Sequence, residues 1–501
     1  MQDKPLLLTT WDISKYFDSE SLVDVMNELH KNGITGKLYR LLYTMNENVR
    51  IKVHTPVGPT EQADTGETLG QGSVEGAVAS AVNIDNGVHD FFKNSENEVY
   101  YLGLKLGPLI FQDDVARLSL DLHSAQSGNV RMRSVAESKL LDFNVGKSCF
   151  VVFGSNKTRS EMLNKLSKEP LQLCDQPMKR ESNVKYLGDF LSEKGLSDSV
   201  QITVNKRKGL VYKAIFEVKC ILNDCRAHLT GGIVAGFNLW EMAVLPMLLY
   251  NAETWQEISR KTMDELEKLQ LDFLRAVLGV GSGCPKVMIY SETGMVLMEL
   301  RILQKKLLFL HHLQNLPTTA LASEVLSLQT ENSLPGIYDD CRDFLTNFNI
   351  YNLKEFSKLQ FKNLVRKKIW ELNKSKLLEL AKVKLYKKVD FNDLASNDFK
   401  VKTYFNDMSI ADSRLKFKLV SKMLPCIKAN FPSDKRYARK SLSCDSCELQ
   451  NPENTERPKD TQEHVLSCSA YESFRQGKNL SNDKDLVQYF RQVMNHRMLN
   501  C

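Results

Sequence analysis

The stretch LLLTTWDISKYFDS, residues 6–19, decides how the beginning of this chain folds. Its first half is apolar and rich in β-branched residues, a composition that predicts a buried strand from Leu6 to Ile13. A polar cluster follows, in which Asp18 or Ser19 is expected to cap a helix. Asp12 therefore stands at the end of a buried strand and is the first candidate functional residue.

Strand and helix patterns continue to about residue 195. A Gly-rich loop at residues 65–73 opens a helix that reaches about residue 88, and another helix is expected at residues 130–141. Strands are predicted at Val99–Phe111, Val115–Ser119 and Cys149–Phe153. These elements indicate an α+β fold with an antiparallel sheet. Helical patterns dominate after residue 196, with a break at residues 279–285.

Three aspartates stand at the ends of predicted strands: Asp12, Asp113 and Asp114. Adjacent carboxylates repel each other unless a cation holds them, and Mg²⁺ prefers carboxylate oxygens. Two such ions can clamp the attacking and leaving oxygens of a phosphoryl transfer. The alternative is a solvated turn, because Asp is favoured in turns.

Five segments, in order, resemble the palm motifs of reverse transcriptases from non-LTR (LINE-type, jockey-like) retrotransposons. They are WDISKYFDS (11–19), LGQGS (69–73), FQDD (111–114), LDFNVGKSCFVVFG (141–154) and KYLGDFLS (185–192). LLYNAETW (248–255) resembles a segment that such elements carry beyond the palm. The resemblance implies an RNA-directed DNA polymerase that uses two Mg²⁺ ions, dNTPs, an RNA template and a DNA primer.

The resemblance also assigns roles to the residues around the metals. Asp12, Asp113 and Asp114 would be the metal ligands, and Lys147 would protonate the leaving pyrophosphate. Phe17 would screen the sugar 2′ position. For Lys147 the alternative is an ordinary solvated lysine, and for Phe17 it is core packing.

Two further segments receive roles in substrate binding by the same resemblance. Gln71 and Gly72 would contact the template and the incoming nucleotide. Tyr186, Leu187 and Gly188 would form a hairpin that grips the primer, with an ordinary strand and turn as the alternative.

The sequence departs from the motif pattern at four places. Gln112 replaces a small or apolar residue, and alternation of side chains along a strand is expected to keep it away from the metals. Thr68 stands where the family has Gly, and Gly76-Ala77 replace a Ser-Pro. The first motif also begins within a dozen residues of Met1, where the family has a fingers subdomain. We therefore expect weak or no polymerase activity from the chain alone.

The expected organisation is a palm at residues 1–195, a helical thumb at 196–290, a basic helical connector at 291–435 and a zinc knuckle at 436–480. The alternative function is a catalytically dead, nucleic-acid-binding remnant of a retroelement. An RNA-templated RNA polymerase shares the palm, but Phe17 and the knuckle tell against it.

Near the C-terminus, Cys444-x-x-Cys447 and His464-x-x-x-Cys468 have the spacing of a zinc site. His464 and Cys468 are expected on one helical face. Four N and S ligands without an open position indicate structural Zn²⁺. The alternative is a chance cluster of buried cysteines.

Charge is concentrated in one part of the chain. The net charge is +6, yet residues 353–388 hold twelve Lys or Arg and three Glu. With their interleaved aromatic residues, Arg366, Lys367 and Lys368 are candidates for nucleic-acid binding. An amphipathic helix with a solvated lysine face is the equally weighted alternative.

The bulk composition narrows the class of protein. Hydrophobic residues make up 42% of the chain, which excludes a disordered protein. The 11 cysteines are an odd number, and no signal peptide or membrane-spanning run is apparent. These features predict an intracellular protein of the nucleus or cytoplasm, without membrane partners.

Overall fold

The computed structural model describes residues 4–64, 74–93, 98–112, 114–223, 228–384, 391–424, 427, 443–450 and 458–499. The predicted site residues Gln71, Gly72 and Asp113 lie outside the described residues, as does the side chain of Phe17. The chain divides into two compact units, Met1–Thr203 and Val204–Cys501. The first mixes helices with mostly antiparallel strands and the described part of the second is helical, so the predicted α+β class is confirmed.

The described part of the first unit contains short strands and six helices, followed by the first part of a long helix. The strands are β1 (Leu6–Trp11), β2 (Arg50–Ile51), β3 (His54–Thr55), β4 (Gly58–Pro59), β5 (Ala63–Asp64), β6 (Val99–Tyr101), β7 (Leu104–Leu106), β8 (Leu109–Phe111), β9 (Asp114–Ser119), β10 (Cys149–Phe153), β11 (Gln172–Leu173), β12 (Gln176–Pro177), β13 (Lys179–Arg180), β14 (Asn183–Tyr186) and β15 (Asp189–Ser192). The helices are α1 (Tyr16–Ser19), α2 (Leu22–Lys31), α3 (Gly36–Asn46), α4 (Val74–Phe92), α5 (Leu122–Ser138), α6 (Asn156–Lys168) and the long α7 (Leu196–Asn223).

The central sheet has five strands in the order β13-β10-β1-β9-β8. Strand β1 is antiparallel to both of its neighbours, and Leu8 pairs with Val151 on one side and with Leu118 on the other. A slip of one residue would turn every side chain of β1 to the opposite face, so burial of both faces fixes this register.

Each face of the sheet is covered. On one face, Leu7, Trp11, Val115 and Val152 join a large core with apolar side chains of α4 and α5. The indole N–H of Trp11 donates to Asn129 of α5 at 3.0 Å, which satisfies its polar edge within the core. On the other face, Leu8, Ala116 and Val151 pack against Val184 of β14.

Three local predictions for this unit were wrong. The helix expected at residues 130–141 spans Leu122–Ser138 instead. Residues 99–111 are not one strand, because Leu102 and Gly103 (φ 50° and 88°) form a tight turn between β6 and β7. Strand β8 then begins after Gly107 and Pro108. Helix α2 is capped by Ser21, which accepts the Asp24 N–H, rather than by Asp18 or Ser19.

The described part of the second unit is built from helices. They are the remainder of α7, α8 (Gly232–Leu239), a π-helical segment (Trp240–Val244), α9 (Leu245–Leu248), α10 (Arg260–Leu278), α11 (Lys286–Thr293), α12 (Met298–Gln314), α13 (Leu321–Glu331), α14 (Ile337–Asn347), a 3₁₀ turn (Leu353–Glu355), α15 (Lys358–Lys384), α16 (Phe391–Ser396), α17 (Tyr404–Asp407), α18 (Ile410–Val420), α19 (Asp445–Gln450), α20 (Gln462–Ser467), a 3₁₀ turn (Ser469–Tyr471), α21 (Glu472–Arg475) and α22 (Asp483–Leu499). The predicted break at 279–285 is confirmed, since α10 ends at Leu278 and α11 begins at Lys286.

Helices α10 and α12 form the centre of the second unit, and α12 also packs against α14 and α15. The fully buried Trp240 donates its indole N–H to Gln270 of α10 at 2.9 Å, and Gln270 in turn donates to the Val296 carbonyl oxygen. Among the described helices, none is both long and apolar enough to span a lipid bilayer.

A buried ion pair ties three helices of the first unit together. Lys139, the C-cap of α5, lies 2.9 Å from Glu28 of α2 and 2.9 Å from the Asn83 side-chain oxygen of α4. Burial raises the pKa of Glu28, but hydrogen bonds from Lys139, Asn86 and Lys31 outweigh burial and lower it to about 2. The stabilisation is therefore complete above pH 4.5 and is lost as the pH falls towards 2.

We expect Lys139→Met to destabilise the first unit by about 1–3 kcal/mol at pH 7, because it leaves Glu28 with only the exposed Lys31 as a cation and removes the bond to Asn83. The loss should shrink as the pH falls from 4.5 towards 2, because the unfolded chain binds a proton at Glu28 in this range whereas the paired Glu28 of the wild-type fold does not bind it until about pH 2. The free energy of unfolding, obtained from hydrogen exchange of the β1 amides at increasing denaturant concentration, measures both effects. The control is Lys165→Met, at an exposed lysine of α6, and an equal loss in that variant would contradict the assignment.

Candidate active site and metal centre

The register of β1 against β9 brings two of the predicted carboxylates together. Trp11 pairs with Val115, so the next residue pair along the two antiparallel strands is Asp12 and Asp114. Side chains alternate along a strand, and both carboxylates therefore share the face that carries Leu8. Asp113, the remaining predicted ligand, lies outside the described residues.

Asp12 and Asp114 line a cavity of about 240 Å³ in the first unit. Lys147 and Tyr186, which the sequence also singled out, line the same cavity. Sequence reasoning missed other polar side chains of its wall: Glu181, Asn183 and Lys185. They belong to β14 and the residues before it, whose short alternating pattern carries no catalytic signal.

The donor set suits a divalent cation of the magnesium type. Two carboxylates extend from adjacent strands onto one face, and oxygen atoms are the ligands that Mg²⁺ prefers. The Asp12 side chain is 40% exposed, so a hydrated ion has access to it. Lys147 is 3.9 Å from the Asp12 carboxylate and 71% exposed, a distance and exposure at which the ion pair contributes little.

Tyr186, Leu187 and Gly188 form the end of the hairpin β14–β15. Tyr186 pairs with Asp189, and Leu187 and Gly188 make the turn with φ of 47° and 87°. A positive φ at both turn positions suits a two-residue hairpin, which explains the glycine. Burial, together with the Asp114 carboxylate, raises the pKa of Tyr186, so its hydroxyl stays protonated beside the carboxylates.

The loop before β10 holds the backbone of Asp12. The Ser148 hydroxyl accepts the Asp12 N–H at 3.0 Å and donates to the Asn144 carbonyl oxygen at 3.0 Å. The Asn144 N–H donates to the Asp12 carbonyl oxygen at 2.9 Å. Ser148 is fully buried, so these bonds do not compete with water. No sequence signal distinguished Ser148 from an ordinary serine.

Gln112 does not lie on a strand. The expectation that alternation along a strand keeps its side chain away from the metals is therefore wrong. Phe111 pairs with Asp114, and Gln112 lies in the turn between β8 and β9. Gln112 has a φ of 55°, a left-handed conformation that suits a tight hairpin turn.

A second site gathers Cys444, Cys447, His464 and Cys468. Their ligand atoms all lie within 4.8 Å of one another. The Cys447 sulfur is 3.3 Å from His464 Nε2 and 3.5 Å from the Cys468 sulfur. Tetrahedral zinc with bonds of about 2.0–2.3 Å requires ligand separations of about 3.3–3.8 Å, so this set could bind zinc.

The protonation chemistry of this cluster also fits a metal. Burial raises the pKa of Cys444, and burial with the neighbouring sulfurs raises the pKa of Cys447 to about 12. Burial lowers the pKa of His464, which keeps the imidazole neutral as a ligand must be. Zinc binding would therefore displace thiol protons, and a higher pH would favour it.

The local structure of the cluster differs from the prediction in one respect. Helix α20 ends at Ser467, and Cys468 follows it in an extended conformation with ψ of 128°. Cys468 thus reaches the cluster from the end of the helix rather than from a shared helical face with His464.

Sequence reasoning missed the side chains that hold the cluster. Arg497 of α22 pairs with the buried Asp460 at 2.8 Å and 3.0 Å, and its Nε donates to the Tyr471 hydroxyl at 2.7 Å. An Arg nitrogen also lies 3.9 Å from the Cys444 sulfur. Helix α22, which follows the predicted knuckle boundary at residue 480, is therefore part of its support.

The predicted nucleic-acid residues lie on α15. Arg366 and Lys367 are exposed, whereas Lys368 is partly buried, 2.9 Å from Glu371. Phe361 is fully buried and stacks on His311, so its ring is not available to a nucleobase. Any stacking on this helix must come from another aromatic residue.

No protein-family model and no curated protein matches this chain. Among solved structures, the chain is similar to telomerase from Candida albicans in a complex with the TWJ fragment of telomeric RNA. The match covers 60% of this chain and 43% of the telomerase chain, with 12% identity and a TM-score of 0.31. This chain thus spans less than half of that protein, and a TM-score of this size does not establish a common fold.

We expect the purified 501-residue chain to contain one zinc ion per molecule, measured by elemental analysis. Cys447→Ser should abolish the zinc, because it removes a central ligand of the cluster. Apparent zinc affinity should rise with pH, as thiol protons leave. Cys220→Ser, at an exposed cysteine of α7, is the matched control. A zinc-free chain, or zinc retained in Cys447→Ser, would contradict the site.

Proposed function

We propose that the first unit is the palm of a reverse transcriptase, an RNA-directed DNA polymerase of the non-LTR retrotransposon type. The observation that carries the proposal is the cavity shared by Asp12, Asp114, Lys147 and Tyr186. Motif resemblance selected these residues from segments up to 174 positions apart in the sequence (186 − 12). Their convergence at one end of a sheet supports a common role.

The reaction proposed is attack of a primer 3′-hydroxyl on the α-phosphate of a dNTP. Asp12 and Asp114, with Asp113, would hold two Mg²⁺ ions, which when bound supply neutralisation of charge and a lowered hydroxyl pKa. The chain itself positions these groups, since β1, β9 and the Ser148 loop fix the backbone of both described carboxylates.

Other residues of the chain would act around the metals. Lys147 would donate a proton to the departing pyrophosphate, and its exposed ammonium can move towards a bound substrate. The hairpin turn at Leu187 and Gly188 would support the primer. Phe17 would exclude a 2′-hydroxyl, and Gln71 with Gly72 would contact the template and nucleotide.

The second unit would bind nucleic acid through Arg366, Lys367 and Lys368, with the zinc cluster as a structural knuckle. The proposed binding partners are an RNA template and a DNA primer. The domains proposed are palm (1–195), thumb (196–290), connector (291–435) and knuckle (436–480). The second candidate function, a nucleic-acid-binding remnant without catalysis, requires the exposed cations on α15 but not the metal site.

Binding of Mn²⁺, followed by electron paramagnetic resonance, tests the metal site directly. We expect Asp12→Asn and Asp114→Asn each to weaken Mn²⁺ binding by at least about tenfold, because each removes a charged ligand. Asp90→Asn, at a carboxylate 81% exposed on α4, is the control. Unchanged Mn²⁺ binding in both ligand variants would contradict the palm assignment.

Primer extension on an RNA template separates the two candidate functions. Incorporation of dNTPs at any rate, lost in Asp12→Asn, would support the reverse transcriptase. A remnant binds the primer–template without any incorporation in Mg²⁺ or Mn²⁺.

Ser148 is proposed as a positioning residue for Asp12. Ser148→Ala removes the acceptor of the Asp12 N–H, which should cost about 1 kcal/mol of stability and weaken Mn²⁺ binding. Ser148→Thr keeps the hydroxyl and should restore Mn²⁺ binding. Ser160→Ala, at an exposed serine of α6, is the control. A Ser148→Ala chain with normal Mn²⁺ affinity would show that the serine is only structural.

A further inference from the structure

A groove of about 540 Å³ lies beside Trp370 in the second unit. This volume is in the range of about 300–1,000 Å³ that is typical of small-ligand sites. Its lining combines apolar surface with cations and includes no acidic residue. The lining residues are Gly294, Lys367, Trp370, Phe399, Lys400 and Val401. Of the three basic residues that the sequence predicts to bind nucleic acid, only Lys367 lines this groove.

The far wall of the groove is fixed by close backbone packing. Val401 forms a β-bridge with Thr293, and the Lys402 N–H donates to the Glu292 carbonyl oxygen at 3.1 Å. Gly294 has a φ of 65°, and a Cβ there would lie 2.8 Å from the Val401 nitrogen. A side chain at Gly294 would therefore push this wall away, which explains the glycine.

Trp370 supplies a flat apolar surface at the groove. Its indole N–H donates to the Phe399 carbonyl oxygen at 3.4 Å, so the polar edge of the ring is already bonded within the protein. The other three tryptophans, Trp11, Trp240 and Trp255, are at most 4% exposed, whereas Trp370 is only partly buried. The carbon surface of this indole is thus the part available for stacking.

The charges around the groove favour an anionic ligand. Lys367 and Lys400 are both exposed, and Arg366 is exposed next to Lys367. The neighbouring Asp398 forms an ion pair with Lys402 at 2.5 Å, which offsets its charge. A flat apolar surface and two cations in the lining of one groove match a nucleobase and the phosphates of its backbone.

We propose that this groove binds a segment of single-stranded nucleic acid, with a base stacked on Trp370 and backbone phosphates at Lys367 and Lys400. The inference rests on the proposed nucleic-acid binding of the second unit and assigns it a specific ligand class. Phe361 is buried, so Trp370 is the aromatic residue of α15 that can supply the stacking surface among the described residues.

The test is titration of the full chain with three 12-nucleotide probes: oligothymidine DNA, oligouridine RNA and an abasic DNA of equal length. The chain carries Asp12→Asn and Asp114→Asn, so that failure of the catalytic proposal does not affect the result. We expect both base-containing probes to quench the fluorescence of Trp370 and to bind at least about fivefold more tightly than the abasic probe. A difference in affinity between the oligothymidine and oligouridine probes shows whether the groove prefers DNA or RNA.

Variants then locate the site. Trp370→Leu should weaken binding of the base-containing probes about fivefold to a hundredfold, and leave the abasic probe unaffected. Lys367→Gln with Lys400→Gln should lower the slope of log affinity against log salt by about 1.4. The matched control is Lys358→Gln with Lys362→Gln, at exposed lysines of the same helix.

Equal binding of abasic and base-containing probes by the chain with Trp370 intact would overturn the groove, and this comparison does not depend on any groove variant folding. Normal binding by Trp370→Leu would overturn it as well. If all probes bind but ignore Trp370, nucleic-acid binding stands and the groove assignment fails. If no probe binds, the nucleic-acid role of the second unit fails with it.

Discussion

The pairing of β1 with two antiparallel neighbours is the constraint on which the candidate active site depends. Burial on both faces of the sheet fixes the register, since Leu7 and Trp11 enter one core and Leu8 enters the other. The same register sets Asp12 beside Asp114 at the end of the strands. The carboxylates can meet only because apolar packing holds the strands that carry them, so the chemistry of the cavity is a consequence of the core.

The sequence allowed the central parts of this arrangement to be predicted, because strong apolar patterns specify strands and the aspartates end them. It did not predict the hairpin within residues 99–111, where the positive φ of Leu102 and Gly103 outweighs strand propensity. It also could not identify Ser148, whose role depends on a contact with a residue 136 positions away. Contacts between distant segments leave no local pattern in a single sequence.

In the second unit, the short sequence intervals between ligand residues predicted the metal cluster, whereas contacts between distant segments could not be predicted. The intervals between Cys444 and Cys447 and between His464 and Cys468 predicted a cluster whose ligand atoms are close together. The side chains that hold it, Arg497 and Asp460, come from segments without a recognisable motif. The aromatic residues of α15 show the same limit, because the sequence does not distinguish the buried Phe361 from the partly exposed Trp370.

The proposed active site requires Asp12 and Asp114 to bind a divalent cation together. A crystal structure of the chain soaked in Mn²⁺, with anomalous scattering measured at the manganese edge, would locate such an ion. We expect an anomalous peak in contact with the carboxylate oxygens of both residues. Well-ordered carboxylates with no peak between them, at a Mn²⁺ concentration that saturates binding in solution, would contradict it.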